Sequence, residues 1–206
     1  MKRKLLIFIL MLAISFGGYA QSATTWYVDK DVPTGDGSTW ATAYGDLQAA
    51  IDAANGVNGD RIFVKKGQYD LATAITMKEG VKLYGSFAGT ETTLADRDLS
   101  NFSNDAANAT ILKSSGSDRV INNNFTSAGA MTAASVLNSF VITGGNSEGL
   151  NNNNGGGINN EYASPTLQNL IIIGEYLINC VSSKKGLTKC LLSLGNLGSD
   201  FAKIAT

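Results

Sequence analysis

The chain has 206 residues, a formal charge of −1, 23 Gly, two Pro, two Cys and no His. The absence of His excludes a Ser-His-Asp triad, and the slightly acidic balance lacks the basic face that nucleic acid demands. A length that suits one domain, rich in Gly, Asn, Ser and Thr, disfavours long helices and predicts short strands with many turns.

At the N-terminus Lys2, Arg3 and Lys4 precede an apolar run over 5–16 and the small-residue stretch Gly17, Gly18, Tyr19, Ala20. A basic start, a short apolar run, and Gly18 and Ala20 at the −3 and −1 positions predict a signal peptide over 1–20, cleaved before Gln21. The run is too short for a hydrocarbon core, which needs about 20 residues of helix. Loss of the three basic residues takes the formal charge from −1 to −4. No later apolar run is long enough to span a membrane, so the expected location is secreted or cell-surface.

Next, 25–29 reads as a strand and 33–39 as a turn region. A helix is predicted over 45–55, where Leu47, Ala50, Ile51 and Ala54 recur at three- and four-residue spacing, Asp46 favours the start and Asn55-Gly56 the stop. Its apolar stripe needs a cover, most simply the open end of a sheet stack. Strand-sized apolar segments follow at 61–64, 81–84, 110–112, 120–121, 136–142 and 167–173, with turn signals such as Lys66-Gly67, Tyr84-Gly85 and Gly144-Gly145-Asn146.

Residues 135–144 align with 165–174 at an offset of 30, with Leu137 matching Leu167, Phe140 matching Leu170 and Ile142 matching Ile172. One supersecondary unit per repeat, stacked on its neighbour, accounts for that period. The stretch between, 145–163, is then a long turn carrying Asn151 to Asn154 and Gly155-Gly156-Gly157-Ile158-Asn159-Asn160.

These segments resemble a known family. Tyr27-Val28-Asp29, Ser38-Thr39-Trp40-Ala41-Thr42-Ala43-Tyr44-Gly45-Asp46-Leu47-Gln48-Ala49-Ala50-Ile51, Gly59-Asp60-Arg61-Ile62-Phe63-Val64, Lys66-Gly67-Gln68-Tyr69, Gly80-Val81-Lys82-Leu83-Tyr84-Gly85-Ser86-Phe87-Ala88-Gly89-Thr90-Glu91-Thr92, Arg97-Asp98 and Gly155-Gly156-Gly157-Ile158 carry the likeness. The chain over about 26–174 resembles secreted right-handed parallel β-helix (pectin-lyase-like) proteins of Bacteroidetes type, which often carry polymorphic-outer-membrane-protein-like repeats. The resemblance implies an all-β fold, a short solenoid of four to five coils with an N-terminal capping strand and helix over 25–58 in a domain over 21–174. It implies export and a surface role but no single activity, because this fold hosts lyases, hydrolases, adhesins and spacers alike.

Beyond Gly174 the Gly/Asn rhythm stops. Residues 175–206 read either as a cap over the last coil or, preferred here, as the end of a truncated or frame-shifted product. In an exported chain Cys180 and Cys190 have the option of a bridge, worth about 2–3 kcal/mol over so small a loop. Two thiols without His leave a structural zinc site half empty.

The nearest carboxylate cluster is Asp96-Arg97-Asp98 with Glu91 upstream, the weak candidates for a polysaccharide-cleaving site, since glycosidases need two carboxyls about 5–10 Å apart. Arg97 pairing with Asp96, Asp98 or Glu91 to hold a loop is the simpler expectation. Asp29, Asp31 and Asp36 offer oxygens of the kind Ca²⁺ takes, but Pro33 interrupts them and no EF-hand spacing follows. They read as solvated turn residues, and no cofactor is expected. Asn122 to Asn124 and Asn151 to Asn154 read either as hydrogen-bonded ladders between coils or as αL-tolerant turns, and a turn role is the simpler expectation than contact with sugars. Trp26, Tyr27, Trp40 and Tyr44 read as a seal on the first coil rather than a sugar-stacking platform. Gly155-Gly156-Gly157 lacks the Lys-Ser/Thr of a phosphate loop. The expected function is non-enzymatic: a secreted or surface structural and adhesion module, with an extracellular glycan or surface protein as partner. The alternative is a remnant polysaccharide lyase or glycoside hydrolase.

Overall fold

The computed structural model describes residues 21–115, 118–147, 150, 155–174 and the backbone of 202–204. The expected leader over 1–20, Asn151 to Asn154, and the expected tail over 175–206 with Cys180 and Cys190 lie outside the described residues, apart from the backbone of 202–204.

The strands are β1 (Thr25–Val28), β2 (Arg61–Lys65), β3 (Gly67–Leu71), β4 (Lys82–Phe87), β5 (Thr110–Ser114), β6 (Ile121–Asn124), β7 (Val136–Asn138), β8 (Phe140–Thr143), β9 (Ile158–Glu161), β10 (Thr166–Gln168), β11 (Leu170–Ile173) and β12 (Ala202–Ile204). One α-helix, α1 (Leu47–Ala53), stands between β1 and β2. Sheet A has the order β1-β2-β4-β7-β10, sheet B the order β12-β11-β8-β5-β3, and sheet C pairs β6 with β9. Every pair is parallel except β11 with β12.

The all-β right-handed parallel β-helix expected from the sequence is therefore corrected. The chain forms three parallel sheets of unequal size plus a helix, an α/β-like arrangement without a clear all-β solenoid. The physical reason lies in what fills the space between strands. Leu47, Ala50, Ile51 and Ala54 of α1 and its exit join the same buried cluster as Val28, Ile62, Leu83 and Leu137. The long segment 88–109 leaves the strand path and lays Phe102 and Ala106 on the outer face of sheet B, against Ile111, Val141 and Ile171. Parallel sheets buried on both faces are the habit of mixed architectures.

The helix follows its sequence signals closely. Asp46 caps it by accepting from the Ala49 N–H at 2.7 Å. The exit at Gly56 passes so close to strand-leading residues that an added Cβ would sit 1.6 Å from the Glu79 carbonyl oxygen. Buried Asp60 then fastens the end of the stack, accepting from the Thr24 N–H, the Trp26 indole N–H and the Asn55 N–H at 2.8, 2.9 and 2.9 Å. Burial alone pushes its carboxyl up, but these donors outweigh it and hold it below the usual aspartate value of 3.8. A depressed folded pKa contributes stability that is full above the unfolded value and is lost as pH falls through the folded one. Urea titrations from about pH 6 down to about pH 2 are expected to show a fall in stability below the ordinary aspartate range, and Asp60→Asn to make it shallower without abolishing it, since other carboxyls such as Glu91 are depressed as well.

In sheet A, Trp26, Ile62, Leu83, Leu137 and Leu167 share one inward row. In sheet B, Tyr69, Leu112, Ile142 and Ile172 do the same. The offset of 30 residues is the pairing register of β7 with β10 and of β8 with β11. Each of the single strands expected at 136–142 and 167–173 is two strands, because Ser139 (φ 63) and Asn169 (φ 49) turn the chain from sheet A into sheet B. Lys66-Gly67 is likewise a corner, with Gly67 (φ 136) opening β3 rather than only ending β2.

Sheet C decides between the two readings of the asparagines and overturns one expectation. Asn122 to Asn124 lie in β6, and the supposed long turn over 145–163 contains β9. Asn123 is fully buried; its Oδ1 accepts from the Met77 N–H at 3.0 Å and its Nδ2 donates to Asn160 Oδ1 at 2.8 Å. On the other face Asn159 Nδ2 donates to Asn122 Oδ1 at 2.9 Å. The carbonyls of Gly156 and Gly157 accept from the N–H groups of Val120 and Ile121. These asparagines form side-chain ladders because a buried amide finds a partner amide on the neighbouring strand.

Candidate functional site

The residues singled out from the sequence do not converge. Glu91 turns back on its own loop and accepts from the N–H groups of Ala88, Gly89 and Thr90 at 2.8, 3.0 and 3.0 Å. Burial pushes its carboxyl up, yet these donors hold it below the usual glutamate value. Asp96 accepts from the Thr93 N–H, and the Thr93 hydroxyl and N–H hold its pKa down. Asp98 does the same with the N–H and hydroxyl of Ser100. Each carboxyl is engaged within its own turn and favours the ionised form, which suits none of them to act as a proton donor near neutrality.

Arg97 pairs with none of the three, correcting the expected loop-holding ion pair. Its guanidinium reaches across the corner, donating to the Gly85 carbonyl and to Asn138 Oδ1, both at 2.8 Å. It also lies 5.8 Å from the Tyr84 ring and 5.3 Å from the Phe87 ring. Burial lowers its pKa to about 10, leaving it charged at neutral pH. Arg97 thus clamps the segment 88–109 over sheet A. Arg97→Met is expected to cost about 2–3 kcal/mol in urea unfolding, from two charge-assisted hydrogen bonds and the ring contacts. Arg97→Lys restores less than half of that, since an ammonium cannot reproduce the planar fork.

The N-terminal aspartates are also separately engaged. Asp29 binds Lys65 at 2.6 Å, Asp31 binds Lys30 at 2.6 Å, and Asp36 accepts from Ser38 and Thr42. The Ser38 N–H and hydroxyl and the Thr42 hydroxyl bring Asp36 down to about 2. Among the described residues no group of three or more His, Cys, Asp or Glu is placed to hold a metal ion.

The four aromatics expected as one seal divide in two. Trp26 and Tyr44, with ring centroids 6.1 Å apart, pack against the main core. Tyr27 and Trp40, 4.8 Å apart, stand on the outer side with Phe63, Tyr84 and Phe87, where Phe63 and Phe87 stack at 4.2 Å. The Trp40 indole N–H donates to the Glu91 carbonyl at 2.8 Å, tying this cluster to the segment 88–109.

Together these place aromatic, amide and basic side chains on the outer face of sheet A, with Phe63 and Asn138 buried. One outward row runs Tyr27, Phe63, Tyr84, Asn138, Gln168 in direct register. Tyr27, Tyr84 and Gln168 are half-buried, and Asn138 Nδ2 donates to Gln168 Oε1 at 2.9 Å. The second outward row runs Thr25, Arg61, Lys82, Val136, Thr166. A signal for this face exists in the sequence: Thr25-Trp26-Tyr27, Arg61-Ile62-Phe63 and Lys82-Leu83-Tyr84 each set a polar or basic residue two places before an aromatic, the period of one strand face.

Comparison with models of known protein families, with curated proteins and with solved structures found no match. Among the described residues no helix is long and apolar enough to cross a membrane.

Proposed function

We propose that this chain is a secreted or cell-surface module with a structural and adhesive role, and that it engages a glycan through the outer face of sheet A. The observation that carries the reading is the outward row of sheet A in which the half-buried Tyr27, Tyr84 and Gln168 alternate in register with the buried Phe63 and Asn138. With a strand spacing of about 4.8 Å, Tyr27, Tyr84 and Gln168, each two strands from the next, recur at intervals close to two sugar units of an extended polysaccharide. Tyrosine offers an apolar ring to the C–H face of a pyranose with a hydroxyl at its edge, and the Gln168 amide nitrogen supplies donors. The leader over 1–20 and the resemblance of the segments after it to exported proteins support the location.

The test is affinity electrophoresis of the protein through gels containing a panel of neutral and charged polysaccharides. At least one is expected to retard the chain, and Tyr84→Ser and Gln168→Ala each to weaken that retardation about tenfold. Absence of retardation by every polysaccharide, or unchanged retardation of both variants, contradicts the reading.

A further inference from the structure

The outer face of sheet A holds a juxtaposition that its own stability disfavours. Arg61 of β2 and Lys82 of β4 are direct cross-strand partners. Both stand outward, because Ile62 and Leu83, the next residues along, are fully buried in the core. Like charges directly opposite on neighbouring strands destabilise a sheet. Among the described residues neither side chain has an acidic partner; the ion pairs are Lys30 with Asp31 and Lys65 with Asp29. Asp60, adjacent in sequence, has its carboxylate engaged by Thr24, Trp26 and Asn55. The rest of the row offers Thr25, Val136 and Thr166, none of them charged.

We propose that Arg61 and Lys82 form an anion subsite on this face and that the glycan it takes is sulfated. The inference rests on the reading of the face as glycan-binding. Two cations on adjacent strands approach one anionic group from two sides. A sulfate ester, with three terminal oxygens, accepts from both, whereas a planar carboxylate is already matched by a single guanidinium. Half-buried Tyr84 lies two residues beyond Lys82 on the same strand and the same side, next to the buried Phe63 of β2. The ring of a sulfated sugar thus meets Tyr84 while its substituent meets the charges.

The probes are dextran sulfate, unsubstituted dextran and polygalacturonate, titrated calorimetrically into the full chain. Dextran sulfate is expected to bind at least about tenfold more tightly than the other two, with affinity falling as salt rises. Arg61→Gln and Lys82→Gln are each expected to lose about five- to tenfold for dextran sulfate. Their melting temperatures are expected to be no lower than the parent's, because each removes a repulsion. That second readout separates loss of a subsite from loss of folding. Dextran sulfate binding unchanged in the double variant, or polygalacturonate binding as tightly, overturns the subsite. Binding of neutral dextran alone, indifferent to both substitutions, overturns it while leaving the glycan reading intact. Failure to bind any polysaccharide, including those of the wider panel, overturns both.

Discussion

Asn123→Gly is expected to lower the unfolding free energy by about 3–4 kcal/mol, and Asn123→Ala by about 2–3 kcal/mol. Either substitution leaves the Met77 N–H and Asn160 Oδ1 without the partners they have at 3.0 and 2.8 Å, inside a fully buried site. An orphaned buried polar group costs about 1–3 kcal/mol. Glycine adds the backbone entropy of a residue held extended in a strand. The ranking is diagnostic. At a turn in the left-handed region glycine would be the better substitute, since it enters that region without strain. Urea unfolding of the two variants reads the difference directly, and glycine equal to or better than alanine would return Asn123 to the role of a corner residue.

Leu137→Ala is expected to cost about 3–4 kcal/mol in the same measurement. Leu137 is fully buried in β7, with Leu83 on one side and Leu167 on the other in the inward row of sheet A. Strands on both sides are hydrogen-bonded to it, so the row cannot close over the lost methyl groups, and the cavity adds to the transfer term. Val136→Ala, one residue away on the half-buried outer face, is expected to cost less than half as much.

Much of the local structure is legible in the sequence because local rules and burial agree there. The stripe of Leu47, Ala50, Ile51 and Ala54, started by Asp46 and stopped at Asn55-Gly56, yields α1. The match of Leu137 with Leu167 and of Ile142 with Ile172 is the register in which those strands pair. The exceptions are places where a long-range partner overrides a local preference. Asparagine favours turns in isolation, yet buried Asn123 donates to Asn160 one strand away and accepts from the Met77 N–H. Arg97 has carboxylates on both sides in sequence, yet Asp96 and Asp98 are held by Thr93 and Ser100, and the guanidinium crosses to Gly85, Asn138 and the rings of Tyr84 and Phe87.

The fold class failed for a related reason. Alternation along a strand shows which residues can face inward, but not that Phe102 and Ala106 will cover the outer side of sheet B or that a helix will share the core. The candidate site was legible only as scattered strands. Thr25, Arg61 and Lys82, each two places before an aromatic, declare a common face only once β1, β2 and β4 are set side by side.

The functional account depends on that outward face having the register seen in sheet A. Cysteine cross-linking tests it most directly, in a background with Cys180 and Cys190 replaced by serine. Val136→Cys with Thr166→Cys joins direct partners of β7 and β10, whereas Leu137→Cys with Thr166→Cys joins residues one position out of step and on opposite faces. Rapid oxidation to a disulfide is expected in the first pair and little in the second. Equal or faster cross-linking of the second pair would contradict that register.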